Sequence, residues 1–136
     1  MLLVAAVLLG FLRGGATAAP GQTAFELGRV GGNIAPFTVR IRPDGSVRHS
    51  GAVRLGRRGV RLSQERLAAL RLYARSQGFW SLRRLTVCRN SLPDFASLFV
   101  TVHAGGRTRR VTVRGNCVPR FARLYRALAS AATVSS

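Results

Sequence analysis

The side chains of this sequence that could do chemistry are few, because 136 residues hold only two cysteines, two histidines and four carboxylates. Hydrolysis needs a nucleophile beside a base, or two carboxylates of different pKa. Asp94 could meet His49 or His103 in space, but the sequence has no nucleophile elbow, no metallopeptidase His-Glu-x-x-His pair and no phosphate-binding glycine loop. Asp94 follows Pro93 and is more simply interpreted as a turn residue. We therefore predict a non-catalytic protein without catalytic residues.

The same side chains do not predict a metal site. Two cysteines and two histidines could in principle ligate zinc, but their spacing matches no zinc finger or zinc ribbon. His103 falls near the tip of a predicted hairpin and Cys117 lies beyond its open end. At about 3.3 Å per strand residue the two are on the order of 20 to 30 Å apart. We expect neither a metal nor a cofactor.

The first 18 residues predict an export signal. Leu2–Leu12 is an apolar run of eleven residues, whereas a helix needs about 20 to cross a bilayer. Residues 13–15 end the run, and Ala-Thr-Ala at 16–18 offers the small residues that a signal peptidase selects. The alternatives are a buried first helix or a membrane anchor. Export is favoured, because no stop-transfer segment follows, and we expect no integral membrane span.

Cleavage after residue 18 would leave residues 19–136 as a single small domain, secreted or held in the cell envelope. In such an oxidising space Cys88 and Cys117 favour a disulfide, with free buried thiols or a metal site as the alternatives. The bridge would close a loop of about thirty residues, which the chain-entropy model values at roughly 3 to 4 kcal/mol.

The formal net charge is +18, and all 22 basic residues are arginine. Such a field attracts polyanions, although arginine without lysine is also typical of a GC-rich coding sequence. Five arginines could share the polar face of the predicted sheet and form a polyanion site. Others lie on both predicted helices, so a solvated basic shell is the simpler interpretation. The five are Arg40, Arg42, Arg48, Arg110 and Arg114.

Alternation of apolar and polar residues predicts two hairpins. A first strand covers residues 25–30; a strand at 37–41 then turns at Pro-Asp-Gly and returns from 46 to 55, with a bend at Gly51. A second hairpin joins residues 98–103 to 110–114 through Gly105-Gly106. The segment from Arg83 to Pro93 is expected to be irregular.

Helical spacing predicts two helices. Ser63 can cap a first helix that stops at Gly78, and Pro119 suits the start of a second. The inward stripe of the second helix is Phe121, Leu124, Tyr125 and Leu128, and residues after Ala131 are expected to fray. The fold class is therefore α+β: an antiparallel sheet of two hairpins with two helices packed on one face.

Three stretches carry a resemblance to a known family. They are Phe25-Glu-Leu-Gly-Arg-Val-Gly-Gly, Leu62-Ser-Gln-Glu-Arg-Leu-Ala-Ala-Leu with Gly78-Phe-Trp-Ser-Leu, and Pro93-Asp-Phe leading into residues 99–102 and 111–113. Their order resembles the emfourin-type proteins, which are small inhibitors of thermolysin-like metallopeptidases. It also resembles exported domains of similar length with paired cysteines and no assigned function.

The resemblance implies a non-catalytic domain that blocks a peptidase with a loop or a strand edge. Separately, we expect a monomer. On this sequence those places are the turn at Gly31, Gly32 and Asn33, and the loop from Cys88 to Phe95 with Asp94. The signal, the cysteine pair and the basic surface depart from that family. The alternative function is a basic protein that binds an envelope polymer or extracellular nucleic acid, with Arg40, Arg42, Arg110 and Arg114 in contact with the polyanion.

These expectations predict the form of the mature protein. Intact-mass analysis of the exported protein should give a chain that begins at Ala19 and has lost the two cysteine hydrogens. A cytosolic chain that keeps residues 1–18 and two alkylatable thiols would contradict the prediction of export.

Overall fold

The protein folds as one six-stranded sheet with two helices, as seen in a computed structural model that describes residues 23–134. The predicted signal at residues 1–18 lies outside the described residues. None of the helices in residues 23–134 has the length and apolar character to span a membrane. The strands are β1 Phe25–Val30, β2 Phe37–Ile41, β3 Val47–Gly51, β4 Leu85–Val87, β5 Ser97–Ala104 and β6 Arg107–Arg114; the helices are α1 Gln64–Ser76 and α2 Pro119–Ala131, with a 3₁₀ turn at Phe79–Ser81.

The strand order is β3-β2-β1-β5-β6-β4, which places β1 between the two predicted hairpins. The predicted α+β class is confirmed. The prediction of a purely antiparallel sheet is wrong, because the segment expected to be irregular forms β4 at Leu85–Val87, and β4 runs parallel to β6. Three residues carry too little periodicity to reveal a strand. The sheet is therefore mixed, with a short parallel strand at one edge.

The core lies between one face of the sheet and both helices. Alternate residues of β1, β2, β5 and β6 meet the apolar stripes of the helices, and the side chain of Leu27 is fully buried there. In α2 Phe121, Leu124 and Leu128 are buried as predicted. Tyr125 is only half-buried, and this burial raises the pKa of its phenol.

The turn between β2 and β3 is held by Asp44. Its carboxylate accepts from the Ser46 amide at 2.9 Å and from the Ser46 hydroxyl at 2.6 Å, and these bonds lower the pKa of Asp44. Strand β3 ends at Gly51, where φ is +82°. The prediction that this strand continues to residue 55 is therefore wrong. Glycine tolerates this conformation, so the chain turns away from the sheet there.

The prediction that the chain frays after Ala131 is wrong for the described residues, because residues 132–134 are packed. Ala132 is fully buried, and Val134 forms a β-bridge with Leu55. The Gly56 amide also donates to the Thr133 carbonyl at 2.7 Å. Backbone hydrogen bonds to a distant loop hold the segment in place, and the local sequence does not reveal them.

The predicted disulfide between Cys88 and Cys117 is confirmed, with an S–S distance of 2.00 Å and a Cα–Cα distance of 5.7 Å. It links the residue after β4 to the segment that enters α2. The Cys88 amide donates to the Arg114 carbonyl at 2.8 Å, which extends the pairing of β4 with β6 by one bond. Gly115 has φ +95°, and a Cβ there would lie 2.6 Å from that of Cys88. The bridge thus packs directly on the chain that leaves β6.

Replacing both cysteines, as Cys88→Ser with Cys117→Ser, should lower the free energy of unfolding by about 3 kcal/mol, because the unfolded chain loses its constraint. Denaturant unfolding measures this change, and the reduced wild-type protein is the matched control. Hydrogen exchange should also accelerate in β4, which pairs on one side only. Equal unfolding midpoints for the variant and the oxidised wild type would contradict this role.

Candidate functional site

The two loops that the resemblance singled out meet in the structure. The Asn33 amide donates to the Asp94 carbonyl at 3.1 Å, which joins the turn after β1 to the loop before β5. Gly32 adopts φ +69°, and a Cβ there would lie 2.5 Å from the Asp94 carbonyl and 2.6 Å from the Ala96 amide. The backbones therefore approach more closely than any side chain at residue 32 would allow. The neighbouring Gly31 has the same φ but open space around it.

These loops and the end of β4 expose a cluster of apolar side chains, which we call the loop surface: Ile34, Val87, Leu92 and Phe95. They are 49 to 58% exposed and make up four of the six large apolar side chains exposed in residues 23–134. Single exposed apolar residues are ordinary on a protein surface, whereas a cluster indicates an interaction site. The loop surface is therefore the strongest candidate site for a partner protein.

Phe95 lies at the centre of the loop surface. With Val87 and the disulfide it lines a concave region of about 580 Å³, and with Ile34 it lines a second of about 330 Å³. Gly115 also belongs to both regions. Because these hollows share Phe95 and Gly115, Ile34 and Val87 border one continuous surface around Phe95. Leu92 is exposed in the same loop as Phe95.

Local hydrogen bonds fix the loop that carries Phe95. The Cys88 carbonyl accepts from the Ser91 amide at 3.0 Å and from the Ser91 hydroxyl at 2.6 Å. The Phe95 amide then donates to the Leu92 carbonyl at 3.0 Å, which closes a second turn. Since Cys88 is held by both β6 and the disulfide, the loop begins from a fixed point.

Arginine lies beside the loop surface. The Arg29 guanidinium donates to the Ala35 carbonyl at 2.8 Å through Nη2 and lies 5.1 Å from the Phe37 ring centroid. It therefore supports the segment that presents Ile34. Arg89 lines the hollow at the disulfide and is exposed. An apolar centre with a charged rim is the usual composition of a protein-binding surface.

The face of the sheet that points away from the helices, which we call the outer face, carries arginines that the sequence analysis proposed for binding a polyanion. Strand register places five residues in one row across it, in the order Arg48, Arg40, Glu26, Thr101 and Arg110. Glu26 accepts from Arg40 at 2.9 Å and approaches Arg110 at 3.5 Å. One carboxylate thus partly neutralises two of the candidate arginines.

Arg110 also covers a buried aromatic ring on this outer face. Its guanidinium carbon lies 3.7 Å from the Phe99 ring centroid, and Phe99 is 1% exposed although it faces away from the helices. Gly28 leaves the space that this ring occupies, because a Cβ there would lie 2.8 Å from it. Arg110 therefore contributes to packing as well as to charge.

The remaining two candidate arginines lie apart from this row. The Arg42 backbone forms the turn between β2 and β3, where its amide donates to the Ser46 carbonyl at 2.9 Å. Arg114 ends β6, pairs with Val87 across the parallel ladder, and lies on the same outer face as Arg110. The structure thus distributes the five predicted arginines along the face and does not gather them at one point.

The side chains considered for catalysis are also separated. Asp94 precedes β5 whereas His103 lies near its far end, where His103 Nδ1 is 2.9 Å from the Thr108 hydroxyl. His49 lies on β3, the opposite edge strand from β4. Within residues 23–134 no three His, Cys, Asp or Glu residues come close enough together to hold a metal ion.

Sequence reasoning located the two loops but not the apolar side chains that they expose. Ile34, Leu92 and Phe95 could equally have belonged to the core, and only the pairing of β4 with β6 brings Val87 beside them. One signal was available: apolar residues directly follow the turn residues Gly31-Gly32-Asn33 and precede the start of β5.

No protein-family model matches the chain, and no curated protein matches it. The candidate site is therefore defined by its geometry.

Substitutions at Gly31 and Gly32 test the junction between the turn after β1 and the loop before β5. Gly31→Ala should cost about 1 kcal/mol of stability from its positive φ alone. Gly32→Ala should cost a further ~1 to 3 kcal/mol, because its Cβ meets the backbone of residues 94–96. Unfolding measurements give both values, and hydrogen exchange at the Asn33 amide should accelerate only in the Gly32 variant. Equal effects of the two substitutions would contradict the junction.

Proposed function

We propose that the protein is an exported, non-catalytic binding domain that inhibits a peptidase through the loop surface. One observation carries the proposal. The turn after β1 and the loop before β5, where the resemblance places an inhibitory contact, are joined by the Asn33–Asp94 hydrogen bond. They expose Ile34, Leu92 and Phe95, and Val87 at the end of β4 is exposed as well. The family resemblance supplies the class of target, a thermolysin-like metallopeptidase.

The energetics favour a partner that covers Phe95 and Leu92. Full burial of one such side chain is worth about 1.5 to 3 kcal/mol. Binding energy is lost when loops must become ordered, and a rigid loop avoids that loss. The loop from Cys88 to Phe95 is held by the disulfide, by two turns and by the junction with Asn33. It could therefore enter a peptidase cleft with little reorganisation.

The proposed export is supported by the disulfide. Disulfides form and persist mainly in extracellular and periplasmic spaces. The predicted signal at residues 1–18 supplies the route, and the mature protein would be secreted or held in the envelope.

A second candidate function is the binding of a polyanion, an envelope polymer or extracellular nucleic acid, on the outer face of the sheet. The row that contains Arg48, Arg40 and Arg110 favours it, as does the net charge of +18. Polyanion binding by several arginines weakens steeply as salt rises, whereas a packed apolar interface weakens little. Salt dependence therefore separates the two functions.

A pair of leucines tests the leading proposal. Leu92 belongs to the loop surface and is 58% exposed, whereas Leu72 lies on α1 and is 63% exposed. Leu92→Gln should weaken inhibition of a thermolysin-like metallopeptidase about tenfold or more, because it removes an exposed apolar side chain of the loop surface. Leu72→Gln should leave inhibition unchanged. The measurement is the inhibition constant for peptide hydrolysis at low and high salt.

Three results would oppose this proposal. The first is no inhibition at a large molar excess of the mature, oxidised protein. The second is equal loss of inhibition in the Leu92 and Leu72 variants. The third is inhibition that disappears at high salt in every variant, which would indicate a charge effect and favour the outer face of the sheet.

A further inference from the structure

A third concave surface, separate from the loop surface, lies beside β3, the edge strand farthest from β4. It has a volume of about 720 Å³ and is formed by β3 and the segment that follows it. Val47, Val53 and Leu55 are partly buried against the core and form its floor. Three arginines of the segment after β3 line it together with His49 and Gly59, and we call these three the pocket arginines: Arg54, Arg57 and Arg58. Arg48 also borders the pocket, but the strand register places its side chain on the outer face of the sheet beside Arg40.

Hydrogen bonds at several points anchor the segment from Gly51 to Leu62. At its start the Ala52 amide donates to the Pro36 carbonyl at 3.0 Å. In its middle the Gly56 amide donates to the Thr133 carbonyl, and at its end the Leu62 amide donates to the Gly45 carbonyl at 2.8 Å. The pocket arginines therefore project from a backbone that is held in place.

The pocket arginines have no carboxylate partner among the described residues. The ion pairs of residues 23–134 use Arg40, Arg61 and Arg110, and none of the pocket arginines. The two carboxylates nearest in the sequence are Asp44 and Glu65. Asp44 pairs with Arg61 at 3.7 Å and accepts from Ser46, and Glu65 lies in the first turn of α1. Three like charges around one hollow repel each other, and an anion would relieve that repulsion.

We infer that this pocket binds an anion that carries adjacent phosphate groups. Guanidinium groups form paired hydrogen bonds with phosphate oxygens, and arginine stays charged at any physiological pH. Three of them exceed the charge of one phosphate, so linked phosphates match the pocket better. The pocket is separate from the loop surface, and the inference does not rest on the proposed peptidase inhibition.

Two sources could supply this chemistry, a soluble polyphosphate or the headgroups of a phospholipid surface. Calorimetry with inorganic tripolyphosphate tests the first, and sedimentation with phosphatidylglycerol vesicles tests the second. Citrate, an anion with carboxylates in place of phosphates, tests whether phosphate itself is recognised. All arms use the oxidised mature protein at the same ionic strength.

Two double variants with the same net charge isolate the pocket. Arg54→Gln with Arg58→Gln removes two pocket arginines, whereas Arg66→Gln with Arg75→Gln removes two exposed arginines of α1. The pocket variant should bind tripolyphosphate about tenfold more weakly or worse, because charged hydrogen bonds are lost. The α1 variant should stay within about threefold of wild type, since it changes only the overall field.

Equal loss in the two variants would overturn the inference and leave only a general attraction to a basic protein. Citrate binding as tight as tripolyphosphate would overturn the assignment to phosphate. Vesicle binding that depends on Arg54 and Arg58 would support the lipid source, and tripolyphosphate binding without vesicle binding would support the soluble one. Both variants should keep the unfolding midpoint of the wild type, because the substituted side chains are exposed.

Discussion

The disulfide between Cys88 and Cys117 is the constraint on which the candidate binding site depends. It joins the end of a three-residue edge strand to the segment that begins the last helix. Strand β4 pairs with β6 on one side only, so backbone hydrogen bonds alone hold it weakly. The covalent link fixes Cys88, and the loop that carries Leu92 and Phe95 starts there. The same loop is tied at its other end to Asn33. Two distant parts of the chain thereby become one exposed apolar surface.

The arginines serve different purposes in different places. On the outer face of the sheet Arg110 covers the Phe99 ring and lies near Glu26, so part of its charge is used within the fold. Beside β3 the pocket arginines form no ion pair in the described residues, and they line a hollow. The net charge of the chain is therefore a poor guide to function on its own. The location of each guanidinium, and what neutralises it, distinguishes packing from binding.

The sequence allowed much of the fold to be predicted, because the physics there is local. Alternation identified β2, β5 and β6, and the Ser63 hydroxyl accepts from the Arg66 amide at 3.0 Å, as a helix cap should. Strand β4 was missed because Leu85–Val87 is too short to show a period and its parallel partner is distant in sequence. The loop surface was missed because exposed apolar residues in separate loops do not reveal that they meet. The pocket arginines were missed since arginine occurs throughout the chain.

The central claim is that the joined loops form the surface that binds a peptidase. Hydrogen exchange of the protein, alone and in complex with an inactivated thermolysin-like metallopeptidase, tests it most directly. The account predicts slower exchange at residues 31–34 and 88–96, with little change in β3 and in the loop that follows it. Protection confined to the outer face of the sheet, or unchanged exchange of the two loops in a complex of confirmed stoichiometry, would contradict the claim.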